Sequence, residues 1–184
     1  RDKATIGRML VDNGYRAAWF GKNHNPPAFA ASQVGPFDQW PVGMGFEYFY
    51  GFVGGDANQW QPNLFRNTTQ IYPFQGKQDW NLITGMADDA IDYMTRIHQT
   101  DPSKPIFSKY APGATHAPHH PTKEWVDKVS AMHLFDDGYE KVRERIFENQ
   151  KRLGVIPQDA RLPPWPKEVL KPWDQLSADE KKLF

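Results

Sequence analysis

The chain has 184 residues, enough for one domain with a sizeable core. Its 22 lysines plus arginines balance 22 aspartates plus glutamates, so no global field selects nucleic acid or an anionic membrane as the main partner. No apolar run approaches the roughly 18 residues of a membrane span, and zero cysteines exclude disulfides, thiolate metal sites and a cysteine nucleophile within these residues.

Seven tryptophans and 12 phenylalanines at zero net charge argue against disorder, while 16 prolines demand much irregular backbone. That mixture suits a loop-rich enzyme or binding protein. The chain opens on Arg1 rather than Met, so a processed or partial chain is expected and no compartment is assigned. Near this end Ile6, Met9, Leu10 and Asn13 share one helical face, and Asn13-Gly14 is a stop signal. "YRAAWFG" follows as a short apolar run suited to a buried strand ending at Gly21. A Pro- and Gly-rich stretch runs from Asn23 to about Gly45, and "GFEYFYGFVGG" then fits either a strand or an extended loop. Residues 56–83 read as short strands or ordered loop, including "NLF" and "QIYPF".

The clearest helix spans Gly85 to His98. Thr84 is its expected cap, Asp88 and Asp89 lie in its first turns, and Met86, Ala90, Ile91, Met94 and Ile97 form its apolar stripe. "PIFSKYAP" reads as another strand, "TKEWVDKV" as a helix, and Tyr139 to Leu153 as a second strong helix stopped by Gly154. Between Pro157 and Pro172 five prolines, with Trp165 among them and Trp173 just after, predict an extended segment laid over a surface. "SADE" at 177–180 is a capping box that starts a last helix. Helices alternating with strands indicate an α/β architecture with parallel strands, whose sites gather beyond the strands' carboxyl ends.

Two residue groups are predicted at that location. In "GKNHN", Lys22 and His24 stand two apart, so an extended backbone turns both to one side. A fixed cation and an imidazole then converge on one anionic group, although a solvated polar loop has the same composition. In "GATHAPHHP", Pro118 and Pro121 deny the segment a helix interior, so His116, His119 and His120 have no helical zinc spacing. A zinc loop, a stiff loop aiming one histidine, and an ordered surface loop all remain open from these residues. His116 is nearest the strand end, which makes it the candidate for a single task.

"GYRAAWFGKNHN" resembles the second signature of the type I sulfatases, in which a strand ends in Gly-Lys and a histidine follows. "PIFSKYAPGATHAPHHPTKEW" is similar to the later sulfatase segment with an active-site histidine, and "FDDGYEKVRERIFENQKRLGVIP" to the segment that follows in bacterial arylsulfatases. The three matches come in the family's order and cover most of the chain. Ala17 and Asn23 depart from the signature, which often has a hydroxyl residue and an aromatic there.

The resemblance implies an alkaline-phosphatase-like α/β fold, with a parallel-rich central sheet flanked by helices, and a sulfuric ester hydrolase. It implies catalytic roles for Lys22, His24 and His116, and substrate binding by Lys22, His116, His119 and His120. It also implies a formylglycine nucleophile and a calcium ion, but the Cys/Ser-x-Pro-x-Arg motif is not found; "SKPIF" comes nearest, with Phe107 in place of arginine. The Asp pairs at 88–89 and 136–137 match neither calcium motif in context, so no metal ligand is assigned to this chain. Residues 1–156 are therefore expected to be the middle of a sulfatase catalytic domain, inactive alone, and 157–184 an extended Pro/Trp-rich segment leading into a truncated helix. The rival readings are a phosphonate or phosphate ester hydrolase of the same superfamily, and a non-catalytic binding or structural domain. Its partner is expected to be a small-molecule sulfate ester.

Overall fold

A computed structural model describes residues 3–183. Thr5 caps helix α1 (Ile6–Asp12) by accepting from the Arg8 amide at 3.3 Å. Asn13 and Gly14, at φ +87°, end it as the sequence predicts. The face that packs is not the expected stripe, however. Ile6 and Met9 are about half exposed, whereas Gly7 is buried under the Phe46 ring. A seven-residue helix gains more from close approach over a glycine than from two peripheral side chains.

Strand β1 (Arg16–Asn23) is the spine of the sheet. Ala17, Ala18, Trp19 and Phe20 are all buried, the continuous pattern of a parallel strand covered on both faces. It runs two residues past Gly21 because Lys22 and Asn23 still pair with Phe52 and Val53. The ambiguous aromatic run is strand β2 (Tyr48–Val53), parallel to β1. Strands β3 (Leu64–Arg66) and β4 (Thr69–Ile71) form an antiparallel hairpin on its far side, turned at Asn67 with φ +55°. Strand β5 (Ile106–Ala111) joins β1 in parallel, giving the order β4-β3-β2-β1-β5. The centre is thus parallel and one margin antiparallel.

Helix α2 (Leu82–Thr100) covers one face of this sheet. It starts three residues before the expected position because Asn81, not Thr84, caps it, accepting from the Ile83 amide at 3.0 Å. Leu82, Met86 and Ala90 pack on Ala18, Phe20, Tyr50, Phe52 and Leu64, while Ile91 points outward. Asp89 accepts from Tyr48 at 2.5 Å and pairs with Arg66 at 2.6 Å, tying α2 to β2 and β3. The other face carries Trp19, Phe46, Phe49 and Phe65 around Trp40. Trp40 comes from the Pro- and Gly-rich stretch, is fully buried, and donates to the Ala30 carbonyl at 2.7 Å. One indole therefore orders an otherwise irregular segment.

The chain divides into two compact units after Thr122. The second contains α3 (Lys123–Ser130), α4 (Tyr139–Arg152) and α5 (Ala178–Leu183). Within it the Pro/Trp-rich segment lies over the first turn of α4. Tyr139 stacks on Trp165 at 5.0 Å, meets Trp173 edge-on at 5.4 Å, and donates to the Lys171 carbonyl. The capping box forms reciprocally, with Ser177 N donating to Glu180 at 2.7 Å and Glu180 N to Ser177 at 3.2 Å. No described helix is long and apolar enough to cross a membrane.

Candidate active site

The carboxyl ends of β1, β2 and β5 lie side by side, because the three strands are parallel neighbours. Gly21 pairs with Gly51 on one side and Ala111 on the other. A Cβ at Gly21 would overlap the Ala111 carbonyl, and one at Gly51 would overlap the Gly21 carbonyl. The close approach at Gly21 is thus made by the protein's own backbone. It leaves Lys22 at the last ladder positions, half-buried. The Lys22 carbonyl is held by the Trp19 indole N–H at 3.1 Å.

Asn23 is fully buried, and its side-chain oxygen accepts from the Asn25 amide at 3.2 Å and the Asn25 side chain at 2.9 Å. This Asx turn fixes the backbone around His24. His24 is exposed, one residue past the end of β1, and its ring lies against Gly55. A Cβ at Gly55 would stand 3.0 Å from His24 Cε1 and 3.3 Å from Nε2. Lys109, two residues before the end of β5, turns away from this group. Its ammonium sits 3.3 Å over the Trp19 ring, and burial depresses its pKa.

The histidine loop begins at Gly113, which is buried against Phe52 and Gln59. His116 is exposed, with Nδ1 2.7 Å from the Ala117 carbonyl. A carbonyl only accepts, so this contact assigns the proton to Nδ1 and leaves Nε2 as an open lone pair. His119 is also exposed. His120 differs: it is half-buried, accepts at Nδ1 from the Gln59 amide at 3.4 Å, and its carbonyl accepts from Asn81 Nδ2 at 3.4 Å. Among the described residues no three His, Cys, Asp or Glu side chains gather as a metal site. The Asp pairs are engaged elsewhere, Asp89 with Arg66, Asp136 with His133 and Asp137 with Arg145.

Sequence reading found the first and last of the three strand ends but missed the connection after β2. Gly55 and Gln59 both lie there, between "GG" and the proline at 62. The available signal was "GGDANQW", a polar stretch directly after a run of aromatics. It acquires meaning only once β2 is known to be parallel to β1.

A family model described as Sulfatase matches residues 1–149. The chain is 24% identical over 185 residues to an arylsulfatase of Klebsiella aerogenes, covering 97% of this chain and 37% of that protein. It is 22% identical over 194 residues to an uncharacterised sulfatase of Schizosaccharomyces pombe, covering 98% and 33%. The chain therefore spans about a third of the length of the curated relatives it matches. A crystal structure of a sulfatase from Pseudoalteromonas sp. aligns at TM-score 0.47 and 17% identity, over 67% of this chain and 29% of that one.

Proposed function

Since the chain belongs to the sulfatase family, we propose that it supplies part of the active site of an arylsulfatase-like enzyme that hydrolyses a small-molecule sulfate ester. One observation carries this reading: β1 and β5 are adjacent and parallel with Gly21 opposite Ala111, so Lys22, His24 and the histidine loop issue from neighbouring strand ends. Calcium takes six to eight oxygen ligands, and the described residues gather no acidic set to hold one. The described residues thus offer no complete calcium site, and a chain without cysteine offers no cysteine-derived formylglycine. Both are assigned to parts of the protein outside it, and the steps assigned here are binding and proton transfer.

Lys22 offers a fixed positive charge to the sulfate oxygens, where negative charge shifts as the S–O bond breaks. Its half-burial strengthens that interaction relative to a fully solvated lysine. His24 takes or returns the proton on the attacking side of the sulfur, its ring backed by Gly55. His116 binds sulfate or donates a proton to the departing alcohol. With Nδ1–H held by the Ala117 carbonyl, the donor at Nε2 is the imidazolium form. His119 contributes to substrate binding at the rim.

The test is steady-state turnover of aryl sulfates by the full-length enzyme. Lys22→Ala is expected to lose about a hundredfold in rate. His116→Ala should lose about 10²–10⁴-fold, most for esters of poor leaving groups, because those depend most on protonation. A folded Lys22→Ala enzyme with wild-type turnover would sink the assignment. A His116→Ala loss that is the same for good and poor leaving groups would remove its role as proton donor and leave only sulfate binding.

A further inference from the structure

His120 is the histidine of its loop whose ring is held by backbone outside the loop, whereas the His116 ring meets only its neighbour Ala117. Its Nδ1 faces the Gln59 amide, which can only donate, so Nδ1 presents a lone pair and the neutral ring carries its proton on Nε2. Its own carbonyl accepts from Asn81, the residue that caps α2. Gln59 and Asn81 are only 4% and 5% exposed, and the Gln59 carbonyl accepts from the Leu82 amide at 2.7 Å. The connection after β2, the start of α2 and the end of the histidine loop therefore meet at one buried knot. At its other end the loop is seated by Gly113 against Phe52, and His116 N donates back to the Gly113 carbonyl at 3.1 Å. His116 and His119 hang between these two fixed points, both exposed.

From this we infer that His120 is a positioning residue: its Nδ1 staples the loop to Gln59 and so aims His116 and His119 at the substrate. The inference rests on the functional reading above and replaces the direct substrate contact expected for His120. Its logic is one of tether length. Eight residues closed at both ends sample far fewer arrangements than the same residues closed at one. Catalysis by a group on such a loop falls steeply with misplacement.

Two side chains separate the roles of the two ring nitrogens. Asparagine carries its carbonyl oxygen near the place of Nδ1, whereas glutamine carries its polar atoms one bond further, near the place of Nε2. His120→Asn should stay within about twofold of wild-type kcat, and His120→Gln should lose about ten- to a hundredfold in kcat with KM little changed. Independently of activity, hydrogen exchange at the Gln59 amide should stay slow in His120→Asn and become fast in His120→Gln, with the core amides of β1 as the folded reference. Glutamine preserving kcat while asparagine loses it would mean that Nε2 acts on substrate, and would overturn the proposal. Both variants matching wild type would overturn it too. If the wild-type enzyme turns over no sulfate ester, the functional reading fails instead, and exchange at Gln59 still upholds or overturns the staple.

Discussion

Replacing Gly55 by alanine would put a methyl group 3.0 Å from Cε1 and 3.3 Å from Nε2 of His24. Non-bonded carbons rest at about 3.5–4.0 Å, so the ring must retreat by roughly half an ångström. His24 is exposed, so it can do this without disturbing the core. The Gly55 backbone is not in the left-handed region, and alanine restricts the unfolded chain, a gain of about 0.4–1 kcal/mol. Stability should therefore hold or rise slightly. Rate should not. A misplacement of about 1 Å costs about a hundredfold, so half of that corresponds to about tenfold in kcat. Gly54→Ala is the internal contrast: its Cβ meets nothing, but its φ is +137°, so it should cost roughly 1–2 kcal/mol of stability and leave the ring alone. Both variants of the full-length enzyme would be compared by kcat on an aryl sulfate and by Tm. The reasoning fails if Gly55→Ala, with wild-type Tm, turns over at the wild-type rate. It also fails if Gly54→Ala shows the larger loss of kcat.

Other consequences concern the scaffold. Gly21→Ala should abolish folding, since its Cβ would overlap the Ala111 carbonyl at a φ of +103°, whereas Gly14→Ala, with open space at φ +87°, should cost only about 1–2 kcal/mol. Circular dichroism and soluble yield distinguish them, and a well-folded Gly21→Ala would contradict the strand packing. Tyr50 is 2% exposed, and burial, with Asp89 second, pushes its phenol up to about 12. The unfolded phenol ionises near pH 10, so this contribution is whole below about pH 10 and is lost as pH rises through about 12, roughly 2–3 kcal/mol in all. Urea denaturation at pH 9 and 11.5 should show a smaller loss for Tyr50→Phe. A residual slope is expected from Tyr48, raised further by burial and by its bond to Asp89.

Local signals were legible wherever the deciding contacts are local. The Asn13-Gly14 stop, the Ser177–Glu180 box and the bounds of α4 are settled within a few residues, and each matches the structure. The start of α2 was misplaced because Asn81 competes with Thr84 as a cap, and Asn81 also answers to His120, 39 residues away. β2 could not be separated from loop by periodicity, since its parallel pairing buries both faces. The same non-local pairing hid the Gly55 and Gln59 contacts. Charged and imidazole groups announce themselves in a sequence; the backbone that holds them does not.

The unequal margins of the sheet bear on how the chain behaves at high concentration. β4 is three residues long and polar at Thr69 and Gln70, a poor template for another strand. β5 is six residues long, and no described strand pairs with its outer edge. Its lysine, the residue type that commonly discourages strand addition, is folded back over Trp19 instead. For residues 1–122 taken by themselves, strand addition is therefore expected at β5 rather than at β4. Light scattering that rises with concentration and is suppressed by a proline at Tyr110 would identify that growing end.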